Sequence, residues 1–93
     1  MLRITRAGNG DVIFKISGDL DAENVPEIAV VIHAEKKGTR ILLDLTDLRS
    51  VDADAVKSLE KWEADSIKLT NCSPYIREWI RRQRAERQSE KGS

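Results

Sequence analysis

Cysteine is nearly missing from this chain of 93 residues, which carries only Cys72. A lone thiol can close no internal disulfide and no cysteine-based metal cage, so nothing points to a secreted, cross-linked scaffold. Long apolar runs are missing too, and none approaches the roughly 20 residues that span a bilayer, so direct membrane insertion is not expected. The opening Met1-Leu2-Arg3-Ile4-Thr5-Arg6 alternates apolar with polar residues and lacks the apolar centre of a signal peptide. A cytoplasmic address is therefore expected. Neither sign of charge is in excess: 16 Lys and Arg face 16 Asp and Glu. That balance disfavours both a globally basic nucleic-acid binder and an acidic disordered chain. Histidine is represented by His33 alone, in a helix beside Glu35 and Lys36. It has no second ligand and no nucleophile to activate, so neither a metal nor a cofactor is expected. An enzyme would have to be assembled from one histidine, one cysteine and scattered carboxylates, and no such site is apparent.

What is present is the patterning of one small α/β domain. A chain of this length buries about two-thirds of its unfolded surface, enough for one core layer between a sheet and its helices. Leu2 and Ile4 alternate with Arg3 and Thr5 as in a half-buried strand. Asn9-Gly10 is a strong hairpin signal, because both residues accept positive φ. Val12, Phe14 and Ile16 share one face of the return strand at 12–17. A helix then starts between Asp21 and Asn24, either of which can cap it. Glu27 lies three residues past Asn24, Pro26 fits a first turn, Ile28, Val31 and Ile32 form the buried stripe, and Gly38 ends the helix. Ile41-Leu42-Leu43-Asp44-Leu45 reads as a central strand covered on both faces.

A loop at 46–51 leads to Asp52 and a second helix with Val56, Leu59 and Trp62; a short strand at 67–69 follows. Ser73-Pro74 opens a last helix with Ile76, Trp79 and Ile80 on its apolar face. The apolar period stops near Arg84, so residues 1–84 are expected to form the domain and 85–93 a charged, fraying tail. There is no internal repeat. After the opening hairpin, strands and helices alternate, which implies a mixed, mostly parallel four-stranded sheet with three helices.

Three landmarks then occur in order: Gly18-Asp19-Leu20-Asp21, Ile41-Leu42-Leu43-Asp44-Leu45-Thr46, and Val51-Asp52-Ala53-Asp54-Ala55-Val56. With Asn71-Cys72-Ser73-Pro74 at the entry to the last helix, this stretch resembles the STAS domain over residues 2–82. That family includes anti-sigma factor antagonists and cytoplasmic domains of sulphate transporters. The resemblance implies a SpoIIAA-like fold, and a docking surface formed by the 46–51 loop and the start of the second helix. In the antagonists this helix opens with x-D-S-S-G, whose second serine a kinase-type anti-sigma factor phosphorylates. Here the two serines are replaced by Ala53 and Asp54 and the glycine by Ala55, and the segment from Asp52 to Ser73 is several residues shorter.

At a helix N-terminus a phosphate adds about −1.5 to −2 charge, whereas an aspartate supplies about −1 permanently. The D-A-D-A replacement therefore implies a surface held in a phosphate-like state, with Asp47, Ser50, Asp52, Ala53, Asp54 and Ala55 as the partner-facing residues. The plainer reading is helix-start chemistry alone, with Asp52 as the cap and Asp54 as dipole complement. Ser50 and Ser58 are weak candidates for a relocated phosphoacceptor.

The remaining conspicuous residues have bland readings. Cys72 precedes a helix start that would lower a thiol pKa, but a small buried residue at a strand end is the better account. Tyr75, Trp62 and Trp79 suit core or core-rim packing, with an exposed tryptophan for a partner as the alternative. Arg77, Arg81 and Arg84 form one helical stripe that reads as a solvated face. Set against the acidic Asp44, Asp47, Asp52 and Asp54, it could instead steer an acidic partner or a second copy of the chain, leaving a homodimer open. No aromatic stacking array or known motif supports nucleic-acid binding. The function expected is a non-catalytic, bacterial-type regulatory module that binds a protein, with a kinase-type anti-sigma factor as first partner. The alternative is an accessory subunit of a membrane transporter, bound to its ATPase.

Overall fold

A computed structural model describes residues 2–8 and 10–92, with side chains described through Glu86. β1 (Leu2–Ala7) and β2 (Val12–Leu20) form the opening antiparallel hairpin, with Ile4 opposite Ile16. Asn9, half of the hairpin signal, lies outside the described residues. Gly8 turns the chain at φ +118°, and a Cβ there would run into the carbonyl oxygen of Asp11.

α1 (Val25–His33) starts after a turn that Asp21 stabilises, its Oδ1 accepting from the N–H groups of Glu23 and Asn24 at 3.0 and 3.1 Å. Asn24 makes no capping bond with its side chain; its Nδ2 donates instead to the carbonyl of Asp19 at 2.9 Å. The capping box expected with Glu27 therefore does not form, although Pro26 does occupy the first turn. The helix also ends earlier than Gly38, at His33.

β3 (Ile41–Asp44) pairs with β2 in parallel, and β5 (Lys68–Thr70) pairs with β3 in parallel. The expected 46–51 loop is a turn only at Thr46 and Asp47, and a strand beyond it. β4 (Leu48–Val51) lies parallel to β2 and makes the sheet five-stranded, not four-stranded. The reason is that β2 is nine residues long and β3 covers only Val12 to Lys15. After Asp44 the chain leaves this edge, Leu45 donating to Thr70 on β5, and returns when Asp47 accepts from Gly18. Gly18, at φ +97°, sits where the pairing register slips, as a bulge requires.

α2 (Ala53–Ala64) and α3 (Pro74–Gly92) complete the chain, the latter capped by Ser73, whose Oγ accepts from the Ile76 N–H. The backbone of α3 is helical past position 84, where the apolar period ends, because Arg, Gln, Glu, Ala and Lys are good helix formers.

All three helices contribute to one core. Ile28, Val56, Leu59, Ile76 and Ile80 join Phe14, Ile16, Leu20, Leu43 and Leu45 there. The other face of the sheet is open: Leu42 is half-buried between Ile13 and Lys68, and Lys15 is exposed. β3 is thus covered on one face, not on both as its apolar run suggested. Among the described residues, no helix is long and apolar enough to cross a membrane.

Candidate functional site

Because β2, β3 and β5 run parallel, their C-terminal ends gather at one pole, where α2 begins. Asp52 is the N-cap of α2 in an extended conformation, its Oδ1 accepting from the Ala55 N–H at 2.8 Å. Its Oδ2 accepts from the Ala22 N–H at 3.0 Å, and its own N–H donates to Leu20. One carboxylate therefore caps α2 and ties it to the turn before α1.

Asp19, Asp21, Asp44 and Asp47 are also held by the chain itself. Asp44 accepts at one oxygen from the Thr46 hydroxyl (2.6 Å), the Thr46 N–H and the Asn71 amide, and these bonds hold its carboxyl below the ordinary range. Together they shape the turn between β3 and β4. Asp19 accepts from the Ser50 hydroxyl at 2.7 Å, which is the main cause of its lowered pKa. Asp47 pairs with Lys15 at 3.3 Å. Asp54 differs from all of these: it is exposed in the first turn of α2 and makes no hydrogen bond or ion pair among the described residues.

The residues expected to face a partner thus divide. Asp47, Ser50, Ala53 and Asp54 are exposed, and Asp52 is half-buried and occupied. Ala55 is wholly buried, a correction to its place on the partner surface. Its side chain lies in the core one position after the exposed Asp54. Ser50 lies in β4 with its hydroxyl bonded to Asp19, not in a loop. Ser58 is half-buried along α2.

The bonding roles of three groups at this pole were not read from the sequence: Asp19 with Ser50, and Thr46 and Asn71 with Asp44. Only the Asp44-x-Thr46 spacing, a common local turn pattern, signalled any of them. Elsewhere, His33 is exposed, and burial is the largest influence on the Cys72 thiol, pushing its pKa up. That favours the packing account of Cys72 over a reactive thiol.

The arginine stripe of α3 is a larger correction, because it is not a solvated face. Arg77 donates to both oxygens of Glu63 at 2.8 and 3.0 Å, and Arg84 bridges Glu63 (2.6 Å) and the buried Glu60 (3.3 Å). Only Arg81 stays outside this network, pairing with Glu78 within α3.

The arrangement is a small α/β domain with one covered sheet face and an exposed acidic helix tip at the strand ends. A STAS-domain model matches residues 3–83, and the chain belongs to the STAS family. No curated protein matches the chain. A solved structure of an uncharacterized protein of the DUF3478 family from Shewanella loihica PV-4, described as having a SpoIIAA-like fold, superimposes with a TM-score of 0.51 at 17% identity. The alignment covers 69% of this chain and 57% of that one, and it supports the fold alone.

Proposed function

We propose that the chain is a non-catalytic regulatory module of the anti-sigma-antagonist type, which docks a protein partner on the start of α2. The aspartate at 54 stands where antagonists carry the phosphorylated serine. The observation that carries this reading is the contrast among the aspartates at this pole. Asp19, Asp21, Asp44, Asp47 and Asp52 are engaged by the chain's own donors, whereas Asp54 is presented to solvent with its carboxylate unused. A carboxylate that capped the helix would be turned inward, and Asp52 already fills that role. An exposed anion at the positive end of a helix is stable and persists without any modifying enzyme. The surface it marks, with Ala53, Asp47 and Ser50 beside it, is therefore read as fixed in its charged state.

The partner that fits best is a kinase-type anti-sigma ATPase, which in this family reads the charge at this position. The test uses such a purified ATPase with ATP and the chain with or without Asp54→Ser. The variant should bind with an affinity changed at least tenfold, and should accept phosphate on the new hydroxyl. Unchanged affinity together with no phosphate transfer would reject the reading. The ATPase subunit of a membrane transporter is the second partner to assay, on the family resemblance alone.

A further inference from the structure

We infer that the outward face of α3 is a self-association surface, across which a second copy of the chain lays its own α3 antiparallel. This uses none of the residues of the α2 tip and stands apart from the reading above. The face is a seam of Tyr75, Trp79, Arg82 and Glu86, spaced by four, three and four residues, as a helix needs to meet another along one stripe. With Glu78 and Gln83 these residues line an open groove of about 450 Å³. Tyr75 is 67% exposed and meets Trp79 edge to face at 5.9 Å, while Trp79 also packs against the core. An exposed ring anchored on a half-buried one, on an otherwise charged helix, is the composition of an interface centre and not of a solvated face.

The charges on the seam name the occupant. Glu78 and Arg82 stand one turn apart and exchange places under a twofold rotation. An axis at the level of Ile80 brings 78 opposite 82, 79 opposite 81, 75 opposite 85 and 74 opposite 86. Glu78 of each copy then meets Arg82 of the other. Glu86 of each copy reaches the level of Pro74 in the other, where the positive end of that α3 lies. The two Trp79 rings approach near the axis, each with an Arg82 guanidinium within reach. An axis at Arg82 does worse, since it sets Arg82 against itself and Glu78 against Glu86. Among the described residues of the single chain, Glu78 bonds only its neighbours Arg81 and Arg82, at 3.3 and 3.5 Å and largely exposed. Such pairs are weak and easily exchanged for a partner's.

Sedimentation velocity on the full chain at low salt tests this. The chain should show a concentration-dependent monomer–dimer equilibrium that weakens as salt rises. Glu78→Arg alone or Arg82→Glu alone places like charges across the axis, and each should weaken dimerisation at least about tenfold. Both positions are exposed, so circular dichroism should show an unchanged fold. An equimolar mixture of the two variants should recover the dimer, because the arginine placed at 78 in one copy then faces the glutamate placed at 82 in the other. No effect confined to one helix produces that rescue. A chain that stays monomeric up to millimolar concentration, single variants that dimerise normally, or a mixture that fails to recover would each overturn the inference.

Discussion

Asp52 and Asp54 stand two positions apart and share one chemistry, yet they occupy opposite environments because a helix start offers two kinds of place. The cap position turns its side chain back toward the free N–H groups, and Asp52 takes it, reaching Ala55 with one oxygen and Ala22 with the other. The second helical position points along the first turn into solvent, and Asp54 takes that one. Removing the two carboxylates should therefore differ sharply. Asp52→Ala loses a cap and a tie between two elements, and should cost about 1–3 kcal/mol in urea unfolding. Asp54→Ala should stay within about 0.5 kcal/mol. Equal losses would mean that Asp54 is structural and would remove the support for its docking role. This division was legible in the sequence, since capping preferences are local. The burial of Ala55 was not, because which side of the first turn faces the core depends on how α2 lands on the sheet.

Longer-range pairing explains the other differences between sequence and structure. β1, β2, β3, α2 and α3 carry their periods within themselves and were readable. β4 is only four residues long, and it exists because β2 extends beyond β3 and leaves an edge to be paired. The arginines of α3 were similarly opaque. Sequence spacing shows which residues share a helical face, but not that Glu60 and Glu63 of α2 lie opposite that face. Glu63 is subject first to burial, which would raise its pKa, but the bonds from Arg77 and Arg84 outweigh this and hold it below the ordinary value. A double-mutant cycle of Glu63→Ala and Arg84→Ala should give a coupling of about 0.5–1.5 kcal/mol at neutral pH, a value limited by the partial exposure of both side chains. A carboxylate whose pKa is lowered on folding stabilises fully above its unfolded value, near about pH 4.3. The coupling should therefore persist at neutral pH and fade as acid takes the solution through the depressed value. A coupling of zero would reduce the network to a surface coincidence.

Taken whole, the molecule has no net charge but two poles, and topology sets where they lie. Lys36, Lys37 and Arg40 precede β3 at one end, while Asp44 ends it and Asp47, Asp52 and Asp54 follow at the other. The basic pole therefore belongs to the α1–β3 connection. The arginines at 77 and 84, which the alternative reading of the α3 stripe would have made its source, are paired with Glu60 and Glu63 of α2. A partner steered toward the α2 tip would thus need a basic face. The same pairing suggests where the folding unit ends. Among the described residues, Ile80 is the last side chain buried in the core and Arg84 the last held by α2. The helical turns beyond add backbone bonds but no buried apolar contact that the structure describes. A chain ending at Arg84 should therefore unfold within about 0.5 kcal/mol of the full chain, compared by urea titration at low micromolar concentration to keep self-association out of the measurement. Removing Arg84 as well should cost about 1 kcal/mol more, because Glu60 and Glu63 then lose a partner inside the α2–α3 contact. If the longer truncation proved as stable as the shorter, the Arg84 bonds would add nothing to the α2–α3 contact. If instead the chain ending at Arg84 were already strongly destabilised, the domain would have to include the turns beyond it.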